Sequence, residues 1–393
     1  MSDAHKSIVR RTKVPHSSSK PMATPLFTAV AYTSEDADAL DAQYEGKTHG
    51  YTYAREGHPN ACVLGEKIDW MEGAKGGVLT GSGMSALSAI YLGLLNAGDH
   101  IVAGDQLYGR NIRLLTQDLP RFGITASLVD PTDAAKIEAA VTADTKMILV
   151  EAVSNPTLRI ADMEGIAKIA KDKGVLLVVD NTFTTPAAYK PLEQGADITM
   201  HSVTKLLAGH SDVTLGYAAS NDDEINRKMM EAVATWGLTP APFDCWQAER
   251  GLHSFQIRFD KAQENARALA DCLGDLKGVE TVLYPGRRDH PDHNRAQAIL
   301  GDNPGNMVSF RLDGGRPQAN RFIRAAAHIP FAPTLGDIGT TLSHSASSSH
   351  RAMTPQDREA IGITEGFFRV SVGVEDAQQL IEEFTQAVEA AAP

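Results

Sequence analysis

The chain has 393 residues, of which 42% are hydrophobic and 22% charged, and its formal net charge is −12. This length supports one large and one smaller domain. The acidic balance argues against a nucleic acid or an anionic membrane as the main partner, but it permits a local cationic pocket. Cys62, Cys245 and Cys272 lie far apart and form no CxxC pair. Free thiols of this kind are typical of a reducing compartment, so we expect a cytoplasmic protein.

The N-terminal segment contains no hydrophobic signal core, and no apolar stretch of the chain approaches the roughly 20 residues that span a bilayer. Residues 5–20 combine basic side chains with serines. A transit peptide is one interpretation of that composition. We favour another, in which residues 1–60 form an arm that contacts a neighbouring subunit.

Short apolar runs alternate with helix-like stretches between residues 70 and 220. Several runs are apolar throughout and rich in β-branched residues, as strands covered on both faces must be. The stretches 83–98 and 163–174 show helical periodicity, and Gly174 is a helix stop. The alternation predicts an α/β fold whose large domain, 61–250, has a mostly parallel seven-stranded sheet with helices on both faces. The candidate strands are 76–81, 99–105, 124–130, 147–153, 175–181, 198–203 and 213–219.

The pattern changes after about residue 250. A long helical stretch at 258–276 is followed by candidate strands within 279–285, 306–312 and 367–373. This predicts a smaller C-terminal α+β domain, 251–393. The histidines in 289–294 and 343–350 show no clean spacing with a third ligand, so we predict solvated loops and no metal site.

Lys205 follows an apolar run and is surrounded by small, hydroxyl and leucine residues in "HSVTKLLAGHSD". A lysine in a partly dry setting has a lowered pKa and becomes a nucleophilic amine. One use of such an amine is a Schiff base with pyridoxal 5'-phosphate. That cofactor also requires donors for its phosphate, a carboxylate for its ring nitrogen and a packing partner for its ring.

The sequence supplies a candidate for each requirement. The glycine-rich turn 80–87 leads from a strand into a helix, whose N–H groups would face an anion. Ser202 and Thr204 add hydroxyls beside the lysine, Asp180 ends a strand, and Tyr108 follows another. Each feature also has a purely structural explanation. The glycines would allow a tight turn, and Asp180 would cap a helix or turn. Tyr108 would be a half-buried turn residue, and Lys205 would extend its amine from an apolar setting to the solvent. Their joint position at the ends of successive strands favours a site.

The chain resembles the Cys/Met-metabolism family of pyridoxal-phosphate enzymes over about residues 24–376. The resemblance rests on "SVTKLLAGHSD" around the lysine, "VVDNTF" at 178–183 and "EAVSNPTLRIAD" at 151–162. The family includes cystathionine γ-synthase, cystathionine γ- and β-lyases, methionine γ-lyase and homoserine-ester sulfhydrylases. The resemblance implies a fold-type I transferase and a homotetramer, a dimer of dimers with shared active sites.

The resemblance also implies residue roles. Lys205 would form the internal aldimine, Asp180 would contact the pyridine nitrogen, and Tyr108 would stack on the ring and assist the leaving group. The phosphate would be bound by Gly83, Met84, Ser202 and Thr204, together with Tyr53 and Arg55 of a neighbouring subunit. Asn155, Thr334 and Arg369 would bind the substrate carboxylate. The other interpretation of Arg369 is a charge paired on a strand edge.

The implied activity is γ-elimination or γ-replacement on sulfur-containing or O-acylated homoserine-type amino acids. Cystathionine β-lyase or O-acylhomoserine sulfhydrylase activity is the alternative. Two positions depart from the family pattern: Arg110 stands where methionine γ-lyases have cysteine, and Pro333 where synthases and γ-lyases have glutamate. Arg110 is either an exposed loop charge or a contact for a second anionic group. An idle binding protein or a nucleotide-binding protein on this fold fits the residues less well.

Overall fold

A computed structural model describes residues 16–351 and 353–392. The larger lobe is built on a seven-stranded sheet with the order β1-β7-β6-β5-β4-β2-β3. Only β7 runs antiparallel to its neighbours. All seven predicted strands are therefore confirmed, as is the mostly parallel sheet. The strands are β1 (Gly77–Thr80), β2 (His100–Gly104), β3 (Thr125–Val129), β4 (Thr145–Glu151), β5 (Leu176–Asp180), β6 (Ile198–His201) and β7 (Gly216–Ser220).

The central strands are apolar on both faces because each face packs against its own core. Ile148 and Val150 of β4 belong to one core, whereas Met147 and Leu149 belong to the other. The surrounding helices are α1 (Ala37–Tyr44), α2 (Pro59–Glu72), α3 (Gly83–Leu94), α4 (Gly109–Arg113), α5 (Ala134–Ala140), α6 (Met163–Lys173), α7 (Thr185–Ala188), α8 (Asp223–Trp236) and α9 (Pro242–Leu252). The predicted stop at Gly174 is confirmed, since this residue ends α6 with a φ of 66°.

The C-terminal lobe has an antiparallel four-stranded sheet with the order β10-β11-β9-β8. Phe310, Phe322, Phe368 and Phe384 pack together in its core. The elements are α10 (Phe255–Asp275), β8 (Val279–Leu283), α11 (His293–Leu300), β9 (Met307–Leu312), α12 (Arg316–Ala325), β10 (Thr341–His344), α13 (Pro355–Ala360), β11 (Phe367–Ser371) and α14 (Ala377–Ala391). The predicted strands β8, β9 and β11 are confirmed, whereas β10 escaped the sequence analysis.

The prediction that the histidine-containing segments are solvated loops is wrong. His290, His344 and His350 are all buried. His344 lies on β10, and its ring contacts the carbonyl oxygen of Glu365 at 2.9 Å. These histidines are held by the packing of the lobe. Within 16–351 and 353–392, no group of three or more candidate ligands is placed to hold a metal ion.

The N-terminal arm is described from residue 16 onward, so most of the basic segment 5–20 lies outside the described residues. Asn60 on α2 holds the arm by accepting from the Phe27 amide and donating to the Pro25 carbonyl, both at 2.9 Å. Trp246 on α9 donates to the Thr24 carbonyl. The domain boundaries at 60/61 and 250/251 stay predictions, and they fall inside α2 and α9, respectively. No described helix is long and apolar enough to cross a membrane.

An ion pair joins the two lobes beside the segment 153–160. Asp292 accepts from Arg159 Nε at 2.6 Å, from Arg159 Nη2 at 3.0 Å and from the Ile160 amide at 3.1 Å. Ser309 on β9 donates to the carbonyl of Pro156 at 2.6 Å. The C-terminal lobe therefore fixes a segment of the large lobe.

We expect Asp292→Ala to lower the free energy of unfolding by about 2 kcal/mol, because a buried acceptor of three donors, two of them charged, is lost. Asp271→Ala is the matched control, since it removes an exposed carboxylate that also pairs with an arginine, Arg287. Its effect should stay within about 0.5 kcal/mol. Urea denaturation measures both. Equal losses in the two variants would contradict the assigned role of Asp292.

Candidate active site

Two acidic side chains end neighbouring strands at the carboxyl edge of the large sheet. Asp180 at the end of β5 and Glu151 at the end of β4 are paired in register. Asp180 is 8% exposed and accepts from the Thr182 amide at 3.0 Å. Burial raises the pKa of Asp180, against the opposing effect of its bonds to Thr182 and of His201. A buried carboxylate at this edge suits a protonated ring nitrogen.

Glu151 was not among the predicted site residues. It accepts from the Tyr108 amide at 2.8 Å and so fixes the backbone from which the Tyr108 ring projects. Burial, and then the charge of Asp180, raise the pKa of Glu151 well above its usual range. Its position at a strand end, one strand away from Asp180, was the available signal in the sequence.

Lys205 lies just beyond β6 and is half-buried. Its Nζ donates to Thr334 Oγ1 at 3.3 Å, which brings a residue of the C-terminal lobe to the lysine. Burial lowers the pKa of Lys205, and the positive charge of Arg369 lowers it further. The predicted setting of this amine, partly dry and near hydroxyls, is what the structure shows.

Arg369 on β11 is 5% exposed. It donates to Asn155 Oδ1 at 2.7 Å and to the Thr334 carbonyl at 2.8 Å, both uncharged acceptors. Its Nε is buried with no partner in the described part of the chain. Burial lowers the pKa of Arg369 to about 10, while Glu151 acts in the opposite direction. A desolvated guanidinium bonded to neutral oxygens, with one N–H unpaired, is suited to receive a carboxylate.

The glycine-rich turn forms a cradle for an anion. Gly83 is the first residue of α3, where the backbone N–H groups have no intrahelical partner and the helix end is positive. A Cβ at Gly83 would lie 2.7 Å from Ser202 Cβ, so the helix end and Ser202 meet closely. Met84 follows in the same turn. Thr204 fits less directly, because its hydroxyl donates to the Leu215 carbonyl and accepts from the Leu215 amide.

Tyr53 and Arg55 do not join this group within one chain. The Arg55 guanidinium lies 5.4 Å from the Tyr53 ring centre and donates to the Ala234 carbonyl. Tyr53 is exposed. Arg110 and Pro333 are exposed as well, and Arg113 lies 3.7 Å from Asp118. In the described part of the chain, Arg110 and Arg113 of α4 therefore do not line a pocket for a second anionic group of the substrate.

The residues present fit pyridoxal 5'-phosphate. They offer an amine of lowered pKa, a buried carboxylate at a strand end, and a helix N-terminus that a larger residue than glycine would obstruct. The family model described as Cys/Met metabolism PLP-dependent enzyme matches residues 6–389. The chain belongs to this family.

Relatives in this Cys/Met metabolism family carry several activities. The chain is 39% identical to cystathionine beta-lyase of Bacillus subtilis over 345 residues, covering 87% of each. It is 37% identical to cystathionine gamma-lyase of the same species over 368 residues, covering 94% of each. A crystal structure of cystathionine gamma synthase from Xanthomonas oryzae pv. oryzae in complex with cystathionine has a TM-score of 0.88 and 34% identity, over 94% of this chain and 93% of that one.

These findings establish the chain as a pyridoxal-phosphate-dependent enzyme of cysteine and methionine metabolism. They support lyase or synthase activity at the β or γ position of an amino acid. The fold-type I architecture implied by the resemblance is confirmed. The roles of the individual site residues stay predictions that the geometry supports.

Gly83→Ala should raise the dissociation constant for pyridoxal phosphate by about tenfold or more, because overpacking against Ser202 costs about 1–3 kcal/mol. Gly65→Ala is the control, since a Cβ there meets nothing within 4 Å. Fluorescence titration of cofactor-free protein measures both constants. Unchanged binding by the Gly83 variant would remove the cradle from the phosphate site.

Arg369→Met should raise the pKa of Lys205 in cofactor-free protein. A neighbouring positive charge disfavours the protonated amine, so its removal favours protonation, while the part of the shift caused by burial remains. The pH dependence of Lys205 acylation, followed by mass spectrometry, gives this pKa. Arg227→Met, which removes an exposed arginine paired with Glu224 and Glu231, is the control and should leave the Lys205 pKa unchanged. A fall in the Lys205 pKa upon loss of Arg369 would contradict the arrangement.

Proposed function

We propose that this enzyme removes or replaces the γ-substituent of sulfur-containing or O-acylated homoserine-type amino acids. The observation that carries the proposal is the Lys205 amine, which has a lowered pKa, is held by one hydroxyl at 3.3 Å and adjoins the Arg369–Asn155 pair. Loss of a γ-substituent requires proton removal from Cα and then from Cβ. A single loosely held amine beside the carboxylate site is suited to both tasks.

We assign the binding of the cofactor to residues around the Lys205 amine. Lys205 would be its covalent anchor, Asp180 would face its ring nitrogen and Tyr108 its ring. Its phosphate would be bound by Gly83, Met84, Ser202 and Thr204, with Tyr53 and Arg55 from a neighbouring subunit. When bound, pyridoxal phosphate supplies an electron sink for the charge that develops at Cα.

The substrate carboxylate binds Arg369, whose planar N–H groups match its two oxygens. Asn155 and the Thr334 carbonyl hold the guanidinium in place. This contact orients Cα towards Lys205. The positive charge of Arg369 also lowers the pKa of the amine, in addition to the larger effect of burial, so substrate binding and the basicity of Lys205 depend on the same side chain.

The substrate amine would displace Lys205 from the cofactor and so free its amine. The freed amine takes the α-proton, returns that proton to the bound substrate and cofactor, and is then neutral again and able to take a β-proton. The Tyr108 hydroxyl would protonate the departing group. The bond from the Tyr108 amide to Glu151, which holds the backbone of this residue, supports that role. Water completes an elimination to an α-keto acid and ammonia, whereas a thiol completes a replacement.

The second candidate is β-elimination from cystathionine, which requires one proton removal by the same amine. The 39% identity to the Bacillus subtilis cystathionine beta-lyase favours it. O-acylhomoserine sulfhydrylase activity is a form of the γ-replacement proposed above. The assembly we propose is a homotetramer, a dimer of dimers, as the resemblance to the family implies. The exposed Tyr53 and Arg55 support the dimer within it, since they would complete a neighbour's phosphate site.

Product analysis of the cofactor-loaded enzyme tests the proposal. Cystathionine, methionine and O-acetyl- and O-succinylhomoserine are supplied with and without a thiol. We expect 2-oxobutanoate, or a thioether that forms only with added thiol. Pyruvate from cystathionine, without 2-oxobutanoate, would overturn the γ proposal in favour of the β-lyase.

Lys205→Ala should abolish turnover and also the cofactor adduct that borohydride reduction makes permanent. Both losses follow from removal of one amine that serves as anchor and base. Lys190→Ala, which removes a lysine paired with Glu193 on the surface, is the control and should retain both. Full activity of the Lys205 variant would contradict the mechanism.

A further inference from the structure

The segment 205–209, named here the lysine turn, connects Lys205 to the run that leads into β7. Its amides bond locally: Gly209 N donates to the Lys205 carbonyl at 2.8 Å, and Ala208 N donates to the Val203 carbonyl at 3.0 Å. The carbonyls of Leu206 and Leu207 are directed elsewhere, towards a side chain of α10.

That side chain is Arg258, which is 5% exposed. Its Nη1 donates to the Leu206 carbonyl at 2.8 Å, and its Nη2 donates to the Leu207 carbonyl at 3.0 Å and to the Gly251 carbonyl at 2.9 Å. Its Nε donates to Ser254 at 3.1 Å, so every acceptor is uncharged.

Burial of this cation is unfavourable by itself, and it lowers the pKa of Arg258, with Asp337 acting in the opposite direction. An apolar side chain would fill the same space without that cost. It would, however, leave the carbonyls of Leu206 and Leu207 without their donors. The Arg258 guanidinium is therefore suited to holding the backbone of Leu206 and Leu207 in place rather than to filling apolar space.

Gly336 also packs closely against the lysine turn. A Cβ there would lie 2.4 Å from the Leu206 amide nitrogen and 2.8 Å from the Lys205 carbonyl carbon. Gly336 N donates to Ser371 Oγ at 2.8 Å, and Thr334, two residues earlier, meets the Lys205 amine. The C-terminal lobe thus contacts the lysine turn through both Arg258 and Gly336.

We propose that Arg258 is a positioning residue that holds the lysine turn against Gly336, so that the Lys205 amine is presented at Thr334 and beside Arg369. The proposal rests on the function proposed above for Lys205. Arg258 itself touches neither substrate nor cofactor. Its effect passes through the backbone of residues 206 and 207.

Hydrogen exchange tests the positioning without any substrate. In Arg258→Ala, amide exchange of Ala208 and Gly209 should accelerate by about tenfold or more in the cofactor-free and loaded enzymes, because the local structure loses its external support. Arg321→Ala is the matched control. It removes an arginine that donates to two consecutive carbonyls, those of Ala391 and Ala392, far along the chain. Unchanged exchange in the turn, or equal acceleration in the control, would overturn the proposal.

Kinetics supply a second readout once a substrate is identified. Displacement of the amine should lower kcat by about 100-fold while KM changes by less than about threefold, because Arg369 and Asn155 are untouched. Arg258→Lys keeps a donor and should recover part of kcat. A loss confined to KM would overturn the positioning role.

Gly336→Ala covers the case in which the Arg258 variants fold poorly. The added Cβ would collide with the backbone of Lys205 and Leu206, so this variant should produce the same faster exchange and the same fall in kcat. Borohydride reduction of the wild-type enzyme separates the two hypotheses. Failure to trap cofactor on Lys205 would refute the proposed function, whereas trapping with normal exchange in Arg258→Ala and Gly336→Ala would refute the positioning role alone.

Discussion

The bonds of Arg369 hold the two lobes together at the site itself. The guanidinium projects from the small sheet, donates to Asn155 on the large lobe and donates to the Thr334 carbonyl in its own lobe. Because it is buried among neutral acceptors, its charge is felt by the nearby Lys205 amine. A contact between the lobes, the pKa of Lys205 and the proposed binding of a carboxylate therefore depend on one side chain.

Several buried groups around it can be understood as support for this arrangement. The Arg159–Asp292 pair and the Ser309–Pro156 bond fix the segment that carries Asn155. Glu151 fixes Tyr108. Beneath the sheet edge, Glu72 contacts both His201 and Asn181, the residues that precede Ser202 and follow Asp180. Bonded networks of this kind restrict the side chains that the chemistry requires.

The sequence predicted much of the fold because the large sheet obeys simple rules. Strands covered on both faces are apolar throughout, and helices end at glycines such as Gly174. The rule that ligands bind at the carboxyl edge of such a sheet also led to Asp180, which ends β5, and to Lys205, which follows the neighbouring strand β6. Their role in one site stays a prediction. The strand β10 escaped because Thr341–His344 is a short edge strand with polar residues, and only its pairing with β11 and its buried setting reveal it.

The parts that could not be predicted depend on contacts distant in sequence. Nothing near Arg258 in the chain indicates that its guanidinium reaches carbonyls about 50 residues earlier, a separation of 52 for Leu206. The choice between β- and γ-chemistry is of the same kind. It depends on the side chains that contact the leaving group of the substrate. Arg110 and Pro333, the two candidates for such contacts, are both exposed.

The position of Arg369 near the end of the chain also has a consequence for synthesis on the ribosome. The large sheet, with Lys205 and Asp180, emerges first, and domains generally fold in that order. The Arg369 guanidinium, which we propose binds the substrate carboxylate, emerges only with β11, after the other proposed site residues of the same chain. The nascent chain therefore contains Lys205 before it contains Arg369. The proposed substrate site is complete only when β11, the last of the described strands to be translated, has been added.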